Sequence, residues 1–309
     1  MGRYLMEETI NIMFIAHKRY IKPMTTFLYS LFAHNKTAMN LYLFYSDLEA
    51  VFLDKLHKFC KHWENKNLIP IKMDLSKVKN LYCTDNFPVE LYYKLLCVDF
   101  LPRNLSKVLC MDLDMVVNRP LNNLYNMNLD EYPLAACEDV YGYIFGEGAR
   151  NHQRLGIDVK YRYFNGGMLF LNLDYLRNFG GGNSLIEYAF ENKDILKWPE
   201  QDVLNHFFVD KYLKLNWYEY NCVPVKYVMK IEDVEKGIYM PLYRDEIQVM
   251  DSFEGYADYT QAICDNASII HYIGETKPWN IDRPQADTYK TFDRYYVEYS
   301  LEVMKILLD

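Results

Sequence analysis

Two aspartates, Asp112 and Asp114, flank Leu113 directly after the apolar run Lys107–Met111. In extended chain, residues two apart point to the same side. Both carboxylates therefore face one space. Two unpaired carboxylates that close repel, and a hard divalent cation, itself able to hold a phosphate, relieves the repulsion. A solvated acidic turn has the same pattern, and Asp-x-Asp alone is too short to separate the two.

A second group is His271-Tyr272-Ile273-Gly274-Glu275-Thr276-Lys277-Pro278-Trp279, after the apolar pair Ile269-Ile270. A histidine at a strand end serves either as a metal ligand or as a capped structural residue. The nearby Gly274 lets backbone approach an anion and Lys277 puts a charge on it, which tilts the reading toward a ligand site. In Tyr163-Phe164-Asn165-Gly166-Gly167, two glycines enter an apolar strand. That fits a bulge or something packed tightly on the backbone, with Asn165 available to hydrogen-bond it. In Pro199-Glu200-Gln201-Asp202, acidic residues open a helix, where caps are their commonest use.

The elements that must carry these residues alternate. Ile10–Ala16, Leu41–Tyr45, Leu68–Met73 and Lys107–Met111 read as strands. Between them, helices are expected over 22–33, 48–63 and 92–100; the second has apolar residues at steps of three and four. Strands separated by helices imply βαβ units and a mostly parallel sheet, whose ligands sit off the strands' carboxyl ends. From Glu138 to Arg162 the chain is rich in Gly and Tyr with little periodicity, and reads as a long binding loop. Tyr163–Leu173 reads as a strand, Gly180-Gly181-Gly182-Asn183 as a turn, and 185–197 and 201–209 as short helices. Residues 225–265 read as irregular, with mixed strand and turn, and 288–308 as a helix. The expected organisation is one catalytic α/β domain over 9–283, with 284–309 as a C-terminal helix packed on it.

Composition narrows the function. The chain has 309 residues and a formal net charge of −8. A nucleic-acid binder needs a basic face, as does a protein held on an anionic membrane, so both are disfavoured. The 29 tyrosines suit clefts for sugars and bases, although many must be core. No apolar run reaches the roughly 18 residues of a membrane span. The N-terminus lacks a secretion signal, and seven scattered cysteines without a Cys-x-x-Cys pair fit reduced thiols. The expected compartment is the cytoplasm, and peripheral membrane contact has no support in the sequence.

Two families share parts of this pattern. An apolar strand followed by Asp112-Leu113-Asp114-Met115-Val116 resembles the first motif of haloacid dehalogenase-like phosphatases, with Asp112 as nucleophile. That strand stands about a hundred residues too late, however, and no Gly-Asp-x-x-x-Asp follows. Taken in order, the pieces resemble glycosyltransferase family 8, in its bacterial lipopolysaccharide galactosyl- and glucosyltransferase branch related to glycogenin. These pieces are Asn11-Ile12-Met13-Phe14-Ile15-Ala16, Tyr-Tyr-Lys-Leu at 92–95, Asp-Leu-Asp at 112–114, Phe-Asn-Gly-Gly at 164–167, Glu-Gln-Asp-Val-Leu-Asn at 200–205 and the 271–279 segment.

That resemblance implies a GT-A fold: a single Rossmann-like, mostly parallel α/β sheet flanked by helices with a helical C-terminal elaboration. It implies a metal-dependent, retaining transfer of a hexose from UDP-galactose or UDP-glucose to a glycan, glycolipid or glycoprotein hydroxyl. Mn²⁺ is the implied cofactor, with Mg²⁺ as the alternative, and Asp112, Asp114 and His271 are the implied ligands. The donor would meet Ala16, His17, Tyr20, Lys94, Leu113, Asn165, Gly166, Gly274 and Lys277 as well. Glu200, Gln201 and Asp139 would be the catalytic residues around the donor sugar. A non-catalytic nucleotide-sugar binder is the alternative to an enzyme. The sequence departs from the family at His17, where the family often has Asp, at Arg19, where it often has Asn, and at Glu200, where the usual motif is Asp-Gln-Asp. It also lacks the basic C-terminal tail of some relatives.

Overall fold

The run Ile10–Ala16 forms the first strand (β1), buried along its length except for the partly covered Ile15. A strand without polar alternation belongs in a sheet covered on both faces. In a computed structural model, which describes residues 8–17, 21–243, 246–247, 254–280 and 286–308, it does. Met39–Tyr45 (β2), Lys66–Lys72 (β3) and Lys107–Met111 (β4) follow. Then come Met115–Val117 (β5), Leu134–Glu138 (β6), Phe164–Asn172 (β7) and Leu213–Leu215 (β8).

Seven of these strands make one sheet in the order β3-β2-β1-β4-β7-β6-β8. All pairings are parallel except those of β7 with β4 and β6. The mostly parallel sheet read from the sequence is thus observed. Side chains alternate between two cores. Ile12 and Phe14 of β1 and Leu109 and Met111 of β4 enter one, while Met13, Val108 and Cys110 enter the other. Two small ribbons complete the strands: Val228–Lys230 (β9) with Tyr256–Asp258 (β10), and β5 with Ile269–His271 (β11). Six of the largest fully buried side chains are tyrosines, so much of the tyrosine excess serves packing.

The expected helices are present as Ile21–His34, Ala50–Cys60, Tyr93–Phe100, Pro199–Phe208 and Asp287–Leu308. The last buries Phe292, Tyr296 and Val303 in the same core as β1. It is tied down where the Tyr272 hydroxyl donates to the Phe292 carbonyl at 2.7 Å and where Tyr299 meets His34 at 2.8 Å. Among the described residues no helix is long and apolar enough to cross a membrane.

Three expectations differ from the structure. The long loop expected from Glu138 to Arg162 holds two helices, Val140–Ile144 and Glu147–Leu155. Val140–Ile144 is too short to show a period, and Glu147–Leu155 is so polar, with only Ala149 and Leu155 apolar, that no apolar stripe marks it. Residues 225–265 contain the expected strands but also the helices Ile231–Glu235 and Thr260–Asn266. The Gly-rich turn at 180–183 is instead the start of the helix Gly181–Glu191. Glycine serves close approach there as much as turning. A Cβ on Gly182 would lie 2.7 Å from the Leu95 carbonyl oxygen and 2.8 Å from the Leu96 Cα.

That contact seats the helix Gly181–Glu191 on the helix that carries Lys94. Gly182→Ala is therefore expected to destabilise the fold by about 1–3 kcal/mol, the usual cost of overpacking. The check is a lower urea midpoint with an unchanged m-value.

Candidate active site

Asp112 and Asp114 lie on the short turn between β4 and β5, not on extended strand. Their side chains nonetheless converge because both ends of the turn are pinned. The Asp112 N–H donates to the Gly167 carbonyl at 2.9 Å, and the Asp114 carbonyl accepts from the Tyr272 N–H at 2.8 Å. The antiparallel pairing of β5 with β11 sets His271 opposite Met115 and so delivers the imidazole to the turn. One ligand atom from each of Asp112, Asp114 and His271 lies within 4.8 Å of the others. Leu113 points into the core at 3% exposure, so its side chain offers nothing to a ligand.

The donor set suits a cation. His271 Nδ1 meets the Asn221 side-chain oxygen at 2.9 Å, which places a proton on Nδ1. Nε2 stands 3.2 Å from Asp114 Oδ1: with the ring neutral it carries the lone pair a metal would take, and with the ring protonated the two groups form an ion pair. Carboxylate oxygens with an imidazole are ligands that manganese and magnesium accept. The imidazole lies flat on Gly167, where a Cβ would fall 2.3 Å from Cε1. This is why the Gly-Gly pair enters β7 at this point.

Lys94 is the cation the fold itself supplies. It is 4% exposed. Its ammonium reaches Asp112 Oδ1 at 2.8 Å, Glu200 Oε1 at 2.9 Å and the Gly166 carbonyl at 2.9 Å, which uses all three of its donors. Burial by itself pulls such an ammonium's pKa down, but the Asp112 and Glu200 carboxylates outweigh it and hold the group well above its ordinary range. Burial raises the Glu200 carboxyl in spite of Lys94, and the Asp112 charge adds to that. Burial also opposes ionisation of Asp114, but Lys277 and His271 hold its carboxyl far below the usual carboxylate range.

The remaining sequence-predicted residues assemble around this hub. The Gln201 side-chain oxygen accepts from the Gly166 N–H at 2.6 Å, and the Asn165 oxygen from the Gly167 N–H at 2.9 Å. Asp139, just past β6, caps the helix Val140–Ile144 through the Gly142 N–H and is hydrogen-bonded by Asn165 and Gln201. Burial raises its carboxyl above the ordinary range, with those donors pulling the other way. Lys277 reaches the cluster too, on Asp114 Oδ2 and the Tyr272 carbonyl, each at 2.6 Å. Gly274 stands at φ 86° beside the Tyr141 hydroxyl. Ala16 and His17 close the carboxyl end of β1, while Tyr20 and Arg19 lie outside the described residues.

Sequence reasoning missed the residues that hold the Glu200–Gln201 segment. Asp202 is fully buried and saturated. Arg154 binds it through both terminal nitrogens at 2.7 and 2.9 Å, and the Tyr163 hydroxyl donates at 2.6 Å. The Lys197 and Trp198 N–H groups donate at 2.7 and 2.8 Å. Asn205 clips the same helix to β7, exchanging hydrogen bonds with both backbone groups of Phe164 at 2.8 Å. Neither Glu200 nor Asp202 caps the helix, whose N-cap is Trp198 without a side-chain cap bond; Asp202 instead takes the N–H groups of the two residues before that helix. The Asn at the end of the 200–205 motif was legible as a residue but not as a clip.

Comparison with known proteins identifies the family and the fold. The profile of Glycosyl transferase family 8 matches residues 11–282. A lipopolysaccharide 1,2-glucosyltransferase of Escherichia coli is 28% identical over 286 residues, covering 88% of this chain and 74% of that one. A probable glycosyl transferase, Gly, of Streptococcus gordonii is 27% identical over 213 residues, covering 69% of this chain; the match spans about a quarter of the relative's length, 24%. Among solved structures, the galactosyltransferase LgtC in complex with donor and acceptor sugar analogues superposes with a TM-score of 0.69 at 19% identity. It covers 95% of this chain and 96% of LgtC, and it shows that the fold here is the GT-A fold.

Replacing Lys94 by methionine leaves the buried Glu200 carboxylate and the partly covered Asp112 carboxylate facing each other without a cation. The expected loss of stability is about 3–5 kcal/mol, as for other broken buried pairs. The loss should deepen as the pH rises above about 4.3, the ordinary glutamate value. A carboxyl whose folded pKa is raised gives up stability between its unfolded and folded pKa values. Urea unfolding across a pH series reads both effects.

Proposed function

The chain belongs to glycosyl transferase family 8, and on that footing we propose that it is a divalent-metal-dependent, retaining hexosyltransferase. It takes a hexose from UDP-galactose or UDP-glucose and places it on a hydroxyl of a glycan, glycolipid or glycoprotein. The observation that carries this reading is the convergence of Asp112, Asp114 and His271 on one point, with Lys277 on the same carboxylate. A phosphatase with Asp112 as nucleophile is not favoured, because that carboxylate is engaged by Lys94.

A cation held by Asp112, Asp114 and His271, Mn²⁺ or Mg²⁺, would neutralise the charge that grows on the nucleoside diphosphate as it leaves. Lys277 has a third donor beyond the two it uses here, and its point charge adds to that neutralisation. Gly274 lets the backbone come close to the diphosphate. Ala16 and His17 at the end of β1, and Tyr20, which lies outside the described residues, would line the base. The acceptor hydroxyl must meet the anomeric carbon of a sugar that becomes oxocarbenium-like. Glu200, Gln201, Asp139 and Asn165 are the polar groups offered to that sugar, and Lys94 fixes Glu200 where it stands. The bonds of Asn165 and Gln201 to Asp139, and of Lys94 to Glu200, hold them in place before the donor arrives, which is the condition for electrostatic stabilisation without reorganisation.

The catalytic unit is taken as 9–283 with the helix 284–309 packed on it. A cytoplasmic setting fits the seven free cysteines, six of them buried.

A panel of UDP-sugars, run with Mn²⁺, with Mg²⁺ and in EDTA, tests the function directly. Transfer or donor hydrolysis is expected with one UDP-hexose and only with metal; turnover that persists in EDTA would remove the metal from the reading. Asp112→Asn and Asp114→Asn are each expected to cut turnover by more than the roughly 10–100-fold that changes around a metal ligand cost. UDP should raise the melting temperature only when Mn²⁺ is present, by the equivalent of about 2.7 kcal/mol at a hundred times its Kd.

A further inference from the structure

Away from the aspartate–histidine cluster, a cleft of about 410 Å³ opens between the helix Glu147–Leu155 and the residues leading into the helix Pro199–Phe208. Its walls are Glu147, Arg150, Gln153, Arg154 and Lys197. Three cations therefore share one cleft with a single carboxylate, on a chain whose net charge is −8.

Glu147 is divided between two of them. One oxygen meets Arg150 at 2.6 Å and the other meets Lys197 at 2.7 Å. The third cation, Arg154, is answered from the far side by the buried Asp202 and fixed by the Ile195 carbonyl and the Asn151 side chain. Arg154 is thus a rigid wall. Arg150 is the opposite: its side chain is 70% exposed and only one terminal nitrogen meets Glu147, which leaves the rest of its fork for a ligand. Against Glu147 and Asp202, the three cations leave one positive charge in excess, and the donors still open, on Arg150 and Lys197, suit the oxygen-rich surface of a phosphate.

We propose that this cleft is a second oxyanion site, which takes a phosphate group, either free or carried on a sugar. It is separate from the donor diphosphate site at Lys277. It also touches the catalytic segment, since Arg154 lines the cleft and clamps Asp202, whose other partners are the N–H groups of Lys197 and Trp198 just before Glu200. Nothing in it depends on the sugar-transfer reading, because none of its residues belongs to the donor site.

The test is calorimetric titration of the full chain with inorganic phosphate, glucose 6-phosphate and glucose, without divalent metal and without UDP, at low salt. Saturable binding of a phosphate compound is expected. The double change Arg150→Gln with Lys197→Gln should weaken it about tenfold or more, while Lys277→Gln leaves it unchanged. Tighter binding of glucose 6-phosphate than of inorganic phosphate assigns the cleft to a sugar-borne phosphate; equal or weaker binding assigns it to the free ion. The proposal is overturned if wild-type protein binds neither at concentrations on the order of 10 mM. It is equally overturned if binding survives the double change, whatever Lys277→Gln does. Should the double variant fail to fold, Arg150→Gln alone gives the same reading, because that side chain is mostly in solvent.

Discussion

A single buried ammonium organises the site. Lys94 brings Asp112, Glu200 and the Gly166 carbonyl to one point. These come from the turn after β4, the helix Pro199–Phe208 and the start of β7. An ammonium stripped of water must find an acceptor for each of its three protons, or the desolvation cost is not met. That demand fixes three separate chain segments within hydrogen-bond reach of each other. Packing alone leaves such segments free to shift, whereas a saturated charge does not.

A second arrangement of the same kind stands one layer away. Asp202 accepts from Arg154, Tyr163 and two backbone N–H groups, and Asn205 ties the same helix to Phe164. Five donors leave that carboxylate no capacity for chemistry. Its work is to hold the Glu200–Gln201 segment against the sheet. Two adjacent acidic residues in one motif thus have opposite duties. Glu200 sits on the site's cation with its pKa pushed up by burial, and Asp202 is locked by a bidentate arginine.

The cation cluster depends on strand pairing rather than on sequence proximity. Asp112 and Asp114 approach from one end of a turn, and His271 arrives because β11 pairs with β5 in the register that sets it opposite Met115. A slip of one residue would turn the imidazole to the other face. The close approach over Gly167 and the hydrogen bond to Asn221 then fix the ring's tilt and its tautomer. Lys277 completes the group from the loop that follows, so the imidazole and the ammonium that meet Asp114 come from the same short segment of chain.

Much of this was legible from residues alone. Apolar runs of strand length separated by amphipathic helices determined a mostly parallel α/β sheet, since hydrophobic burial depends on local pattern. The Asp-Leu-Asp, Asn-Gly-Gly and His-to-Lys segments also stood out, because their residue types are costly to bury without a purpose. The short helices at 140–155 did not, as one has five residues and the other almost no apolar ones, and neither did the close packing at Gly182. Arg154 and Asn205 were equally silent, because a bidentate clamp and an amide clip are relations between segments and leave no mark on either. The sequence by itself therefore determined which chemistry was available and which elements could carry it. Only the tertiary structure decided which carboxylates would face a metal, which would be locked by an arginine, and where surplus positive charge would gather, because charges interact through space and not along the chain.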